Sequence, residues 1–187
     1  MKKHFFLIVG PSGVGKTSLI KRLLLDFPGK IYDTITCTTR SMRPGEKEGK
    51  PYYFMTEDKF MQLTKDEYFA EWAVVHGYKY GTPKSELEEA WKKGFLVVMD
   101  IDIQGAQLLM KDYKLTSIFI HPPHIDSLLK RLNQRDDGKE ANLNKRMESA
   151  KKEIKLAHKC SHEIINDNLD DAYLKLKKLV EESLNKL

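Results

Sequence analysis

The sequence predicts an α/β fold, a parallel sheet with helices on both faces. Three observations predict it. The apolar run His4-Phe5-Phe6-Leu7-Ile8-Val9 leads through a glycine-rich turn into a segment with Leu19, Ile20, Leu23 and Leu24 on one side. Strand-like and helix-like patterns then alternate, as crossover-connected parallel strands require. Only two stretches, at about 33–82 and 133–157, break that alternation.

The turn after the first strand is Gly10-Pro11-Ser12-Gly13-Val14-Gly15-Lys16-Thr17, which satisfies G-x-x-x-x-G-K-[ST] in full. Glycines let backbone N–H groups turn inward and cradle phosphate oxygens. Lys16 adds a charge that reaches β- and γ-phosphates, and Thr17 offers a hydroxyl to Mg²⁺. The helix that follows, from Thr17 to Asp26, aims its N-terminus at the same anion.

Three further runs read as buried strands: Phe95-Leu96-Val97-Val98-Met99, Ser117-Ile118-Phe119-Ile120 and His162-Glu163-Ile164-Ile165. Helical patterns fall at Pro83 to Lys92, Gln104 to Lys111, Ile125 to Leu132 and from about Asp170 to Leu184. The stretch at 33–82 is rich in Thr and Tyr, carries the turn Arg43-Pro44-Gly45 and reads as a small antiparallel insert. The stretch at 133–157 holds Asp136-Asp137-Gly138 and a long polar helix, Glu140 to Leu156, and reads as a lid or as a surface helix.

At 187 residues the chain has the size of one domain with appended lobes, and 41% hydrophobic content suffices for a core. No apolar run approaches the roughly 18 residues of a membrane span, and the start Met1-Lys2-Lys3 lacks a signal-peptide pattern, so a cytoplasmic location is expected. Cys37 and Cys160 are distant and lack C-x-x-C spacing, which argues against a disulfide framework or a zinc site. The net charge of +5 is compatible with nucleic acid or with a pocket for two phosphorylated ligands, but no focused basic stripe is present and no nucleic acid partner is expected.

Arg40 and Arg43 sit three apart in a loop, with Tyr52 and Tyr80 as neutral donors. Guanidinium forks match phosphate oxygens bidentately, so these residues make a second anion site or, alternatively, an Arg–Glu46 pair among core aromatics. Asp100 ends an apolar strand, where an aspartate holds Mg²⁺ or its waters, and Asp102 lies two residues on, facing the same side in an extended segment; the alternative is a pair of strand-end caps. Read alone, Glu71 is a surface carboxylate on the strand Tyr68 to Val75, and Thr82 fits a helix N-cap before Pro83 at the first helical position, a role that can coexist with one in a binding site. Cys37 reads as a small packing residue.

Thr38 to Met55 resembles the guanylate kinase signature T-[ST]-R-x-x-[KR]-x-x-[DE]-x-x-G-x-x-Y-x-[FY]-[hydrophobic] at every specified position. The resemblance continues through Phe69-Ala70-Glu71-Trp72, Tyr80-Gly81-Thr82, Asp100 to Gly105, Pro122-Pro123, Asn144 to Met147 and Ile165-Asn166-Asp167, covering essentially the whole chain. It implies a P-loop NTPase core at about 1–32, 83–125 and 158–187, a small mixed α/β GMP-binding insert at 33–82 and a helical lid at 126–157. The implied reaction, in purine nucleotide metabolism, is ATP + GMP ⇌ ADP + GDP with Mg²⁺, GMP or dGMP being the acceptor.

By the same resemblance, ATP falls on Gly10 to Ser18, that is Gly10, Pro11, Ser12, Gly13, Val14, Gly15, Lys16, Thr17 and Ser18, with Asn166 near the adenine. Arg40, Arg43, Tyr52 and Tyr80 hold the GMP phosphate, Glu71 and Thr36 meet the base with Asp102 nearby, and Thr82 belongs to the same site. Lys16, Arg135 and Arg146 approach the transferring phosphoryl group, Arg131 lies at the matching helix end, and Thr17 and Asp100 serve Mg²⁺. The chain departs from many relatives at Asn133-Gln134-Arg135-Asp136, where they have Gly-Arg-Gly, and at Thr36-Cys37, where they have serine.

The base chemistry stands independently. Guanine offers N1–H and N2 amine donors on one edge and an O6 acceptor, which a carboxylate and a hydroxyl complement. Adenine would leave that carboxylate unpaired. Two rivals remain: a phosphate-loop kinase for another acceptor, and a non-catalytic guanylate-kinase-like interaction module, which typically degrades the loop that is intact here.

Overall fold

The computed structural model describes residues 5–135 and 140–185. Side chains at positions 130, 133–135 and 140–142 lie outside that description. No described helix is long and apolar enough to cross a membrane.

The first sheet is wholly parallel, in the order β10-β9-β1-β8-β2. Its strands are β1 (Phe5–Val9), β2 (Ile31–Asp33), β8 (Leu96–Asp100), β9 (Leu115–His121) and β10 (His162–Ile165). All five side chains of the central β1 are buried, as expected of a strand covered on both faces. Phe6 and Ile8 pack on one face with α1 (Lys16–Asp26), α7 (Leu169–Leu184), α5 (Ile125–Arg135) and α6 (Glu140–Lys155). Phe5, Leu7 and Val9 pack on the other with α3 (Lys84–Lys92) and α4 (Ile103–Asp112). Each such side chain contributes about 1.5–3 kcal/mol on burial.

The strand-to-helix turn needs its glycines. Gly10 has φ +142°, and a Cβ there would lie 2.5 Å from the Ile120 carbonyl oxygen. Gly15, at φ +105°, turns the chain into α1.

The second sheet has the order β4-β5-β3-β7-β6. Its strands are β3 (Thr36–Thr38), β4 (Lys47–Glu48), β5 (Pro51–Phe54), β6 (Phe69–Val75) and β7 (Tyr78–Pro83). The antiparallel insert read from its residues needs correction. β3 pairs with β5 in parallel and β4 with β5 in parallel, while β7 pairs antiparallel with β3 and β6. Between the strands lies α2 (Glu57–Lys65), capped by the Thr56 hydroxyl, which accepts from the Lys59 amide, with Glu57 and Asp58 in its first turn. Phe60 of α2, Phe69 and Cys37 form the small core behind this sheet, so Cys37 is a packing residue as read.

A second correction concerns α3, which starts at Lys84 with Pro83 as its cap residue; no side chain caps it. The Thr82 hydroxyl donates instead to Glu71.

Candidate active site

One face of the second sheet holds most of the residues that the resemblance assigns to the acceptor. Cys37, packed against Phe60 and Phe69, and Gly81, where a Cβ would meet the same two rings, look toward α2. Side chains alternate along strands, so Thr36, Thr38, Tyr52, Phe54, Tyr80 and Thr82 face the opposite way.

Glu71 joins that face through a β-bulge. The register slips between Phe69, opposite Pro83, and Glu71, opposite Thr82. Phe69 and Trp72, of opposite parity, both touch Phe60 as a result. The bulge turns Glu71 toward α4. A Cβ on Gly105 would lie 2.6 Å from Glu71 Oε2, so glycine there leaves the carboxylate its room. Glu71 is 7% exposed, which excludes the surface-carboxylate reading. Burial pushes its pKa up to about 7 despite the hydroxyl and amide that Thr82 donates, and the nearby Asp102 adds to the rise. The Thr82 hydroxyl lies 2.7 Å from Glu71 Oε1.

Asp102 caps α4, accepting from the Gly105 amide at 2.9 Å. Burial raises its pKa as well, against the amides that hold it.

Of the two alternatives for Arg40, the pair with Glu46 is formed, and it lies beside the tyrosines. Its Nη2 donates to Glu46 Oε1 and Oε2 at 2.8 and 3.0 Å. Its guanidinium lies 5.4 Å from the Tyr52 ring, which in turn lies 5.8 Å from Tyr80. The Arg43 amide donates to Glu46 Oε2 at 2.8 Å. Burial would raise the Glu46 carboxyl, but Arg40 and the Arg43 amide outweigh it and hold the group below its ordinary value. Burial, then the Asp100 carboxylate, raise the Tyr52 phenol, which therefore stays neutral.

At the phosphate loop, Lys16 Nζ donates to the Gly10 and Pro11 carbonyls at 2.5 and 3.3 Å and lies 3.5 Å from Asp100 Oδ1. Thr17 Oγ1 donates to Asp100 Oδ2 at 3.3 Å. A hydroxyl and a carboxylate are hard oxygen donors of the kind Mg²⁺ takes alongside phosphate oxygens and water. No cluster of three or more His, Cys, Asp or Glu suited to a metal occurs among the described residues. Asn166 is 3% exposed and donates from Nδ2 to the Val14 carbonyl at 2.7 Å.

Ser12, within the loop, is partly buried, and Ser18, just after it, is exposed. Over the loop lies α5: a Cβ on Gly13 would sit 3.3 Å from Leu132 Cδ2 and 3.8 Å from Arg131 Cβ. Arg146 is half-buried on α6, next to the buried Met147. Arg135 ends α5, and its side chain lies outside the described residues, as do Asp136 and Asp137.

Two carboxylates escaped the sequence reading. Burial, and then Asp100, push Asp33 up to about 7. Burial pushes Glu153 of α6 up to about 7, with Lys16 opposing and Asp102 and Asp100 reinforcing the rise. Asp33 lies at the end of the three-residue β2, which the sequence pattern does not reveal, and Glu153 showed only as one charge on a polar helix.

The sequence model of the guanylate kinase family matches residues 2–183. The chain belongs to the guanylate kinase family. It is 40% identical over 185 residues to the guanylate kinase of Bdellovibrio bacteriovorus, covering 98% of this chain and 100% of the relative. It is 42% identical over 173 residues to that of Thermotoga maritima, covering 92% and 83%. The crystal structure of guanylate kinase from Anaplasma phagocytophilum superposes with a TM-score of 0.75 at 28% identity, over 96% of this chain and 85% of that one. The expected P-loop nucleoside monophosphate kinase architecture is borne out, and the chain is a nucleotide kinase.

Proposed function

We propose that this guanylate kinase passes the γ-phosphoryl of ATP to GMP across the cleft between the phosphate loop and the inner face of the second sheet. The observation that carries the reading is the buried Glu71 carboxylate, held by Thr82 on the same face as Arg40, Tyr52 and Tyr80. A desolvated carboxylate is costly unless it meets donors, and the guanine N1–H and N2 amine are such donors. Thr36 donates to O6, and Asp102 flanks the base edge. Arg40, Arg43, Tyr52 and Tyr80 hold the acceptor phosphate, the Arg40 fork swinging from Glu46 or sharing with it.

The donor phosphates lie on the backbone N–H groups of the loop from Ser12 to Thr17, with the side chains of Ser12 and Ser18 at the rim. Asn166 keeps the loop in shape by holding the Val14 carbonyl. Thr17 and Asp100 would hold Mg²⁺, which supplies charge neutralisation to the phosphates when bound. Lys16, Arg146 and Arg135 stabilise charge on the moving phosphoryl group. The acceptor is already a phosphate oxyanion, so in-line positioning and electrostatics suffice without a protein nucleophile or base.

The test is ADP formation from ATP–Mg²⁺ with GMP, dGMP, AMP, CMP and UMP offered in turn. Turnover with GMP at least about 100-fold above AMP is expected, and Glu71→Ala should cut that ratio by about tenfold or more. ADP with none of the acceptors, or selectivity unchanged in Glu71→Ala, overturns the assignment.

A further inference from the structure

Glu86 joins the two sheets. It lies in the first turn of α3, half-buried. Its Oε2 accepts from the Tyr32 hydroxyl at 2.5 Å and its Oε1 from the Tyr53 hydroxyl at 2.9 Å. Tyr32 is on β2, the edge strand of the first sheet. Tyr53 is on β5 of the second sheet, packed against the Cys37, Phe60 and Phe69 core, behind the face that carries Tyr52. One carboxylate thus takes a donor from each sheet.

The position matters because of where the chain crosses. It leaves the first sheet after Asp33 and enters the second at Thr36; it leaves the second at Pro83 and enters α3 at Lys84. Glu86 follows the second crossing within three residues and binds Tyr32, which directly precedes the first. α3 itself is anchored by Leu87, Ala90 and Trp91, buried with Phe5, Leu7 and Val97 under the first sheet. A rotation of the second sheet at these crossings must move Tyr53 relative to an α3 that cannot follow.

The chemistry suits a latch. The Glu86 hydrogen bond, then burial, push the Tyr53 phenol up to about 12. Burial, then Glu86, raise the Tyr32 phenol too. Both hydroxyls keep their protons at neutral pH and donate them to the two oxygens of one carboxylate.

We propose that Glu86 is a positioning residue, a latch that sets the tilt of the acceptor-bearing sheet against the phosphate loop through Tyr32 and Tyr53. The proposal rests on the assignment of GMP to the second sheet only for its kinetic consequence, not for its geometric one.

Two measurements test it. The first reads geometry without substrate: spin labels at exposed Lys65 of α2 and Lys175 of α7, in a Cys160→Ser background, report the distance distribution between the sheets. Glu86→Ala and Tyr53→Phe should each broaden it, and the double variant should be no broader than Glu86→Ala. The second reads kinetics: both variants should raise KM for GMP by about fivefold while KM for ATP stays within about twofold. Glu86→Gln, which still bridges both hydroxyls with one bond reversed, should restore most of that loss. Distributions indistinguishable from wild type in Glu86→Ala and Tyr53→Phe overturn the latch. So does a fall in stability with KM for GMP unmoved. A wild-type enzyme that ignores GMP would overturn the substrate assignment instead, and the distance measurement would still decide the latch.

Discussion

The side-chain amide of Asn166 donates to the backbone carbonyl of Val14 at 2.7 Å, joining positions 152 residues apart. Asn166 Nδ2 also occupies the space that a Cβ on Gly15 would need, 2.5 Å away. The phosphate loop is therefore shaped from the far end of the chain. Asn166→Asp keeps the volume but sets a carboxylate oxygen against the Val14 carbonyl. KM for ATP should rise about tenfold or more while KM for GMP stays near wild type, in initial rates with each nucleotide varied.

The pH dependence of stability has a definite sign. The folded Glu71 carboxyl titrates at about 7 against 4.5 ordinarily, so the folded state binds more protons between those values. Its contribution is fully present below about 4.5 and is lost as pH rises through about 7. Asp33 and Glu153, also raised to about 7, act in the same direction. Thermal denaturation of Glu71→Gln at pH 5 and pH 8 should show a smaller drop than wild type. On the proposed reading, in which the Glu71 carboxylate accepts from the guanine, GMP affinity by calorimetry should strengthen as pH rises through 7, and Glu71→Gln should flatten that trend.

Thr82→Val preserves shape and removes the hydroxyl that holds Glu71. Helix α3 is not capped by Thr82, so circular dichroism should be unchanged. The loss of one hydrogen bond to a charged group, about 1.5–3 kcal/mol, should appear as a KM for GMP raised roughly tenfold or more. The pH profile for GMP should also move upward, since Glu71 loses a bond that favours ionisation.

Arg40→Lys keeps the charge but not the fork. It forfeits the two contacts to Glu46 and the approach to the Tyr52 ring. KM for GMP should rise by about tenfold, with kcat reduced less and KM for ATP unchanged. Steady-state kinetics with GMP varied at saturating ATP reads this directly.

The central strands β1 and β8 were readable because they are buried on both faces and so appear as unbroken apolar runs, whereas β10, read as buried, is an edge strand in which only Ile164 is buried. β2 was not readable, since three residues carry no period. The parallel pairing of β3 with β5 left no local trace, because register between distant strands is set by tertiary packing. α2 did leave one, in Thr56 followed by Glu57 and Asp58. Around Glu71 the bulge is what misleads: simple alternation would put Glu71 on the face of Phe69, and the inserted residue separates them. Thr82 before proline looked like a cap because the local sequence suits one, and a partner eleven residues upstream claimed the hydroxyl instead. The family pattern singles out Arg40, Arg43, Tyr52 and Glu71, and the fold sets Arg40 beside Tyr52 and brings Glu71 to the same face, whereas Asp33, Glu86 and Glu153 acquire their surroundings only on folding.

The second sheet rests on a core of Cys37, Phe60 and Phe69, while the first is sandwiched between two far larger clusters. Sheets supported so unequally do not open together. Amide protons of β3, β5 and β7 should exchange through sub-global openings in which β1, β8 and β9 stay closed. A nucleotide spanning the cleft would close those openings, so protection gained on binding should concentrate in the half of the molecule that has the smaller core of its own.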